Sequence, residues 1–269
     1  MCAITAQDAR NRATWSRESS RRWLDVGSDF TDIGERTAFD TVRSQVLDTP
    51  ILDLGVGTGR TIPLLEPLTR EYRGIDYLPS MVAACHRRYP KARVELGDAR
   101  DLTGVPTRHF GLVTFSFNGI DAVAHGDRRR VLSEMRRVIR DDGIVLFSTL
   151  NLHGPAFRER PWRPPVMHAP STLTRVARTA KVWASVPFDV VRWAQLRKQE
   201  EHGAGWALAP LSAHHYGLLA HFTTLERQIR ELTDAGLGRD VVVIDNETGA
   251  RVTKGDRSSA WFHFIAHAS

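Results

Sequence analysis

Short apolar runs alternate with helical patterns from residue 51 onward, which is typical of βα units that build a parallel sheet. The segment 110–117 is apolar at most positions, as expected for a strand buried on both faces. The segment 127–140 is the clearest helix, because its apolar residues recur at helical spacing along one stripe. Seven strands are predicted in total, at 51–54, 72–75, 92–96, 110–117, 144–149, 241–244 and 260–266.

The regular alternation stops between residues 151 and 222. Five prolines open this stretch, and a helical pattern follows over 171–201 with an interruption at Pro187. A connection of this length inside a βα fold is usually functional, so we predict a helical cap that binds substrate. The chain therefore divides into three parts: a mostly helical N-terminal segment (1–48), a core (49–150 and 223–269) and the cap (151–222).

Size and cysteine content exclude several classes of protein. A chain of 269 residues can bury the core of one large α/β domain with a sizeable insertion. Its two cysteines, Cys2 and Cys85, are too few for a disulfide framework and form no C-x-x-C pair that would favour structural zinc. The N-terminus lacks the apolar core of a secretory signal, and no apolar run has the length of a membrane span. We therefore predict a cytoplasmic protein.

The charge balance is positive, with a net charge of +6, and only four of the 37 basic residues are lysine. An excess of positive charge is compatible with a nucleic-acid partner. The 31 acidic residues are nearly as numerous, however, and no basic run is long. Charge alone therefore does not favour a nucleic-acid partner.

The strand at 51–54 leads into a glycine-rich turn with the sequence D-L-G-V-G-T-G, from Asp53 to Gly59. Glycines let the backbone approach a ligand closely, at the place where a doubly wound sheet binds nucleotides. Dinucleotide-binding enzymes use G-x-G-x-x-G, whereas here the third glycine comes one residue early and Arg60 takes its place. The carboxylate of Asp53 disfavours a pyrophosphate and favours a cationic amino-acid group. The spacing therefore argues against a nicotinamide dehydrogenase.

This motif resembles motif I of class I S-adenosylmethionine-dependent methyltransferases, and further landmarks follow in the family's order. Asp76 ends the second strand, Gly97-Asp98-Ala99 follows the third, and 113–121 matches the exit of the fourth. The turn before the fifth strand is Asp142-Gly143, where Pro-Gly-Gly is commoner in the family. The resemblance implies an α/β, three-layer, Rossmann-like fold with a seven-stranded, mostly parallel sheet and helices on both faces. The helical cap is then an insertion between strand five and the last helix, and the segment 1–48 covers the cofactor site.

The resemblance implies S-adenosylmethionine as the cofactor and S-adenosylhomocysteine as the product. The glycine turn would hold the methionine part, an acidic side chain the ribose, and the segments after strands two and three the adenine. The expected cofactor-binding residues are Asp53, Gly55, Gly57, Thr58, Gly59, Asp76, Tyr77, Met81, Asp98, Ala99, Phe115, Ser116 and Asn118.

Methyl transfer depends on positioning, and it needs a general base only where the acceptor must lose a proton. His215 and His153 are the candidate bases, because imidazole titrates near neutral pH, although each can equally be an ordinary surface or core histidine. The candidate substrate-binding residues are Asn151, His214, Tyr216, Trp23 and Trp206. His214, His215 and His221 lack matching carboxylate or cysteine ligands, so no metal is predicted.

The expected activity is methyl transfer to an O or N atom of a small-molecule acceptor. The pattern most resembles methyltransferases of the ubiquinone-biosynthesis type, which implies quinone-like or secondary metabolism only by analogy. An RNA, DNA or protein methyltransferase and a non-catalytic protein of the same fold stay open as alternatives. Phe117-Asn118-Gly119-Ile120 lacks the (D/N)-P-P-(Y/F) motif of base-amine methyltransferases, which disfavours nucleic acid. A homodimer is compatible with the sequence, which does not determine the oligomeric state.

Overall fold

The computed structural model of the chain describes residues 4–18, 20, 31–163, 172–255 and 257–268. The strands in these residues are β1 (Ile51–Leu54), β2 (Tyr72–Asp76), β3 (Val94–Leu96), β4 (Phe110–Phe115), β5 (Ile139–Asn151), β6 (Glu201–Gly203), β7 (Trp206–Leu211), β8 (Leu218–Thr223), β9 (Arg239–Asp245) and β10 (Trp261–His267). The helices are α1 (Ala6–Trp15), α2 (Ile33–Val46), α3 (Ile62–Leu65), α4 (Pro79–Arg88), α5 (His125–Val138), α6 (Pro155–Arg158), α7 (Thr172–Arg197), α8 (Ala213–Tyr216) and α9 (Leu225–Asp234).

One mixed sheet contains all of these strands. The order is β3-β2-β1-β4-β5-β8-β7-β6, and β10 pairs with both β5 and β9. Strands β1 to β5 pair in parallel, whereas β10 is antiparallel to its two neighbours. The predicted Rossmann-like fold with a mostly parallel sheet is therefore confirmed. The order reverses at β1, because β2 continues the sheet on one side of it and β4 on the other.

Two hydrophobic clusters place helices on opposite faces of the sheet. Leu52 and Leu54 of β1 belong to the cluster that includes residues of α5 and α9. Ile51 of the same strand belongs to the cluster that includes residues of α2, α3 and α4. Successive strand residues point to opposite faces, so β1 is covered on both sides and all four of its residues are buried. The three layers therefore follow from the apolar runs in the sequence.

The insertion between β5 and α9 differs from the predicted all-helical cap. Helix α7 is present and continues through Pro187, but β6, β7 and β8 then extend the sheet beyond β5. Strand β8 pairs with β5 only at its end, through Phe222 and Thr223, while β7 and β8 form a six-residue antiparallel pair. Their apolar side chains pack against each other and against Leu196 of α7. Strands β6 to β8 have only three to six residues each, and an irregular turn at 213–216 separates β7 from β8. Their hydrophobic alternation is therefore too short to be recognised in the sequence.

Helix α1 lies against this insertion. The side-chain amide of Asn11 donates to the carbonyl of Leu219 at 2.9 Å and to that of Ala122 at 3.0 Å. In return, Leu219 N–H donates to the side-chain oxygen of Asn11 at 3.1 Å, and the hydroxyl of Thr14 donates to the carbonyl of Gly217 at 2.8 Å. The insertion therefore holds the N-terminal helix in place. Among the residues that the structure describes, no helix is both long and apolar enough to cross a bilayer.

Candidate active site

A cleft of about 1150 Å³, partly open to solvent, lies at the carboxyl ends of the parallel strands. It follows β1, β2, β3 and β4, at the point where the strand order reverses. Most residues predicted to bind the cofactor line it, namely Gly55, Gly57, Thr58, Asp76, Tyr77, Met81, Asp98, Ala99, Phe115, Ser116 and Asn118. Parallel topology brings these separate loops to one edge of the sheet.

The glycine turn after β1 needs glycine for both conformation and space. Gly55, Gly57 and Gly59 have φ angles of 62°, 58° and 91°, where side chains are strained. A β-carbon at Gly55 would lie 2.5 Å from the ring of Phe115, whereas one at Gly57 would meet no other atom within 3.8 Å. Gly57 therefore presents bare backbone to the cleft. Gly59 does not line the cleft. A β-carbon at Gly59 would lie 2.7 Å from the ring of Tyr89, so glycine is needed there to make room for that ring.

Asp53 does not line the cleft, in contrast to its predicted role beside the cofactor. Its side chain is buried and accepts hydrogen bonds from the hydroxyl of Tyr72 at 2.8 Å and from that of Thr61. Burial raises the pKa of Asp53 to about 6, although both hydrogen bonds oppose this shift. The carboxyl group thus supports the glycine turn from beneath, by linking β1 to β2 and to the residue that precedes α3.

Asp76 lies at the end of β2 and faces the cleft. One carboxylate oxygen accepts from the N–H of Gly57 at 2.9 Å, and the other accepts from the N–H of Leu78 at 2.8 Å. Burial raises the pKa of Asp76 to about 6, because only 5% of the residue is exposed. Each carboxylate oxygen can accept a second hydrogen bond, so this side chain can still bind a pair of hydroxyl groups.

The backbone bends sharply after β4. Phe117 and Asn118 have φ angles of 53° and 59°, which ends the strand two residues earlier than predicted. Asn118 N–H donates to the hydroxyl of Ser148 on β5 at 2.7 Å, which fixes this bend. The side-chain oxygens of Asn118 and Thr58 are buried without a hydrogen-bond partner, and both residues line the cleft. A buried polar group without a partner costs about 1–3 kcal/mol, so both atoms are suited to receive a ligand.

Arg60 lines the cleft near this bend. Its guanidinium donates two hydrogen bonds to the buried carboxylate of Glu35, at 2.5 and 2.7 Å, and lies 5.2 Å from the ring centre of Phe117. The ring of Trp261 meets Phe117 edge-on at 6.3 Å. This side of the cleft is therefore aromatic, and the charge of its arginine is balanced by a carboxylate.

Four residues of α1 also line the cleft, and sequence reasoning did not assign them. They are Asp8, Asn11, Arg12 and Trp15. Helix α1 begins with a capping box, in which Thr5 and Asp8 exchange side-chain and backbone hydrogen bonds. That motif could have predicted the helix, and the resemblance predicts that the segment 1–48 covers the cofactor site, but neither identifies which side chains of the helix line the cleft.

The carboxylate of Asp98 accepts hydrogen bonds from two arginines, Arg12 and Arg100. Arg100 donates to it through its backbone N–H and its guanidinium, at distances of 2.8 to 3.0 Å, and Arg12 donates at 3.1 Å. Arg12 also donates to the carbonyl of Tyr77, with its guanidinium 4.2 Å from the centre of that ring. Burial acts to raise the pKa of Asp98, but the hydrogen bonds from Arg100 outweigh it and hold that pKa below its usual range.

The structure does not bring the two candidate bases to the cleft. His215 is 60% exposed along its side chain and pairs with Asp189 on α7 at 3.0 Å. His153 is exposed in the turn after β5. Neither lines the cleft, because the described part of the insertion packs on α1 and extends the sheet beyond β5.

The candidate substrate-binding residues that the structure describes, Asn151, Trp206, His214 and Tyr216, do not line the cleft either. The amide of Asn151 donates to the carbonyl of Ser259 at 2.9 Å, as a structural link at the end of β5. Trp206 stacks on His125 at 3.5 Å. Tyr216 is buried within the insertion, and Trp23 lies outside the described residues.

His214 comes closest to the predicted role. Its ring meets Trp15 edge-on at 4.7 Å and forms a hydrogen bond with Ser20 at 3.1 Å, so it supports a residue that lines the cleft. Burial lowers the pKa of His214 to about 4, and the ring is neutral at physiological pH. Among the described residues, no histidine lines the cleft and no cluster has the composition of a metal site.

Comparison with known proteins agrees with this geometry. Residues 51–143 match the family model described as a methyltransferase domain. A "Probable S-adenosylmethionine-dependent methyltransferase" of Mycolicibacterium smegmatis is 29% identical over 192 residues, which is 69% of this chain and 65% of that protein. The chain therefore aligns with slightly less than two thirds of that relative's length.

Solved structures share the fold at low sequence identity. A SAM-dependent methyltransferase from Thermotoga maritima, described as a possible histamine N-methyltransferase, has a TM-score of 0.56 at 14% identity, over 96% of this chain and 100% of that chain. The glycopeptide N-methyltransferase MtfA, complexed with S-adenosylhomocysteine, has a TM-score of 0.55 at 18% identity, over 94% and 98%. Identities this low establish the common fold alone.

The strand order, the cleft and the match over residues 51–143 are those of a class I, Rossmann-like methyltransferase domain, the fold shared by S-adenosylmethionine-dependent methyltransferases. The cofactor of the family is S-adenosylmethionine. The family, enzyme class and cofactor predicted from the sequence are therefore confirmed.

Proposed function

We propose that this chain transfers a methyl group from S-adenosylmethionine to an N or O atom of a small-molecule acceptor. The observation that supports it best is the single cleft in which the glycine turn, Asp76, Tyr77 and the bend after β4 converge. The acceptor would bind beside Phe117, next to the bend after β4. A pocket of this kind suits one small group better than a nucleic-acid backbone, which needs an extended positive surface.

The residues of the cleft fit the cofactor. The absent side chain of Gly57 would let its amino-acid end approach the turn closely, and the unpartnered hydroxyl of Thr58 would bind it. The remaining acceptor positions of Asp76 would bind the ribose hydroxyls, and the apolar side chain of Met81 would contact the adenine. When bound, the cofactor supplies a methyl group that its sulfonium already makes electrophilic. The chain therefore contributes orientation and the exclusion of water, rather than activation of the methyl group.

Asn118 is the residue that would position the acceptor. Its buried side-chain oxygen has no partner in the protein and can accept an N–H or O–H from the attacking group. An acceptor amine that arrives neutral needs no strong base before it attacks, in keeping with a cleft whose described lining contains no histidine. Two structures of similar fold carry N-methyltransferase names, which favours nitrogen as the acceptor atom.

Substitution of Asn118 by glycine tests this role, because glycine keeps the left-handed backbone and removes only the amide. We expect kcat/KM for a methyl acceptor to fall at least tenfold, since one hydrogen bond to the reacting group is worth about 1.4 kcal/mol or more. The affinity for S-adenosylhomocysteine stays within about twofold of that of the native chain.

The assay follows transfer of a labelled methyl group to panels of amines, phenols, peptides and tRNA. Transfer to tRNA at low salt, with none to the small molecules, contradicts the proposal and supports a nucleic-acid enzyme. Binding of S-adenosylhomocysteine without transfer to any member favours the non-catalytic alternative. An Asp101→Ala variant, changed at an exposed acid outside the cleft lining, serves as the control for both measurements.

Cofactor affinity is expected to depend on pH through Asp76. Its pKa is raised to about 6 by burial, so the group is ionised at pH 7.5 and takes up a proton as the pH falls through 6. The protonated carboxyl accepts hydrogen bonds poorly, and the affinity for S-adenosylhomocysteine declines between about pH 7 and pH 5. Calorimetric titration across this range measures the decline. In Asp76→Asn the affinity is lower but no longer falls with pH, and a fall that persists there contradicts the role of Asp76 and assigns the titration to another buried acid, Asp53 or Asp121, whose pKa values are also raised to about 6.

A further inference from the structure

The carboxylate of Asp98 is fully engaged by groups of the protein. One oxygen accepts from the backbone N–H and the Nε of Arg100, both at 3.0 Å. The other accepts from a terminal nitrogen of Arg100 at 2.8 Å and from one of Arg12 at 3.1 Å. A carboxylate has about four acceptor positions, and all of them are used here. An adenine amino group could bind Asp98 only by displacing one of these donors.

The same two arginines connect Asp98 to helix α1. Asp8 and Arg12 are four residues apart and so lie on one face of that helix. Asp8 accepts from Arg100 at 2.7 Å, in a pair whose side chains are only 7% and 3% exposed. Arg12 reaches Asp98 and the Tyr77 carbonyl. These four charged side chains, Asp8, Arg12, Asp98 and Arg100, are called the latch below.

The latch is the connection between α1 and the loops after β2 and β3 on the adenine side of the cleft. Helix α1 is also held to the insertion by neutral hydrogen bonds from Asn11 and Thr14. Separation of α1 from the core would remove Asp8 from Arg100, which keeps Asp98 and Asp127 as partners, and would break the hydrogen bonds from Arg12 to Asp98 and to the Tyr77 carbonyl. These charge-assisted hydrogen bonds form only when α1 is in place, and the Asp8–Arg100 pair is buried, so the latch favours the closed position of the helix.

We propose that Asp98 is a positioning residue, which holds α1 closed over the adenine side of the cleft through Arg12 and Arg100, and that it does not receive the adenine amino group. This inference rests on the proposed function, since it concerns the retention of the same cofactor. Release of S-adenosylhomocysteine then requires opening of α1, and the strength of the latch sets the release rate.

The first test compares S-adenosylhomocysteine with its analogue that lacks the 6-amino group of the adenine. Affinities and dissociation rates are measured for the native chain, Asp98→Asn, Arg12→Met and the double variant. Both single variants are expected to release S-adenosylhomocysteine about tenfold faster, and the double variant no faster than either one. The preference for S-adenosylhomocysteine over the analogue stays the same in all four proteins. Loss of that preference in Asp98→Asn alone overturns the inference, because it assigns the adenine contact to Asp98.

The second test is independent of the cofactor. Hydrogen exchange of the backbone amides in 6–15 is expected to accelerate at least tenfold in Arg12→Met. The matched control is Arg10→Met, which changes an exposed arginine of the same helix and leaves exchange unaltered. Equal exchange in both variants overturns the latch. If exchange accelerates in Arg12→Met and not in Arg10→Met, while the native chain binds no S-adenosylhomocysteine, the proposed function is overturned and the latch is retained.

Discussion

Replacement of Asp76 by alanine lowers the affinity for S-adenosylhomocysteine by about 100-fold, the largest binding defect that we expect from one side chain in the cleft. The carboxylate would accept two ribose hydroxyls, and each hydrogen bond to a charged acceptor is worth about 1.5–3 kcal/mol. Two bonds at the lower value amount to about 3 kcal/mol, which corresponds to roughly 100-fold in affinity. Isothermal titration calorimetry at pH 7.5 measures this loss.

The same carboxylate also organises the protein, because it accepts from Gly57 and Leu78. Thermal denaturation therefore accompanies the titration, to separate lost ligand contacts from a distorted turn. Asp76→Asn retains one carbonyl oxygen and is expected to lose about tenfold in affinity. An affinity of Asp76→Ala within threefold of the native value, with an unchanged melting temperature, contradicts the assigned ribose contact.

Replacement of Arg128 by methionine lowers the free energy of unfolding by about 3–5 kcal/mol, because it leaves a buried carboxylate without its cation. Arg128 is 2% exposed and donates to Asp121 at 2.7 Å and to the side chain of Gln228 at 2.7 Å. Asp121 also accepts from Thr149 and from the N–H of Leu150 on β5. This pair fixes the turn after β4, so its loss destabilises the fold and the acceptor side of the cleft together.

Urea denaturation measures the loss, with Arg129→Met at the adjacent exposed position as the control. Burial already raises the pKa of Asp121 to about 6. A folded-state pKa above the unfolded value makes stability increase as the pH falls, so we expect Arg128→Met to recover part of its loss between pH 7 and pH 5. The double variant Asp121→Asn, Arg128→Met loses less than the sum of the single changes. A loss below 1 kcal/mol in the single variant contradicts the role of the buried pair.

The cofactor side of the site was predictable from local sequence. Glycines at 55 and 57 are required by positive φ angles, and an acid at the end of β2 is a local motif of the family. All strands of the parallel core end at the same edge of the sheet, so the residues that follow these strands are expected to line one cleft. Asp98 was also placed correctly at the cleft, but its four donors come from α1 and from its own loop.

The acceptor side was not predictable in this way. His215 and His153 have suitable chemistry, but their positions depend on how the insertion folds, and β6 to β8 extend the sheet instead of covering the cleft. Asp53 was assigned to the ligand because it precedes the glycine turn, yet Tyr72 and Thr61 enclose it beneath that turn. Trp15 and Arg12 reach the site only through the docking of α1 on the insertion.

The sequence by itself determined the parallel core, the glycine turn and the loops that line the cleft, because each depends on residues that are neighbours along the chain or on the alternation of strands and helices. Only the tertiary structure decided which residues of α1 line the cleft, which carboxylate accepts hydrogen bonds from two arginines, and which histidines lie outside the cleft. These outcomes depend on contacts between segments separated by 80 to more than 200 residues, such as Arg12 with Asp98 and Asn11 with Leu219. Hydrophobic periodicity describes which face of an element is buried, and it carries no information about the partner that covers that face.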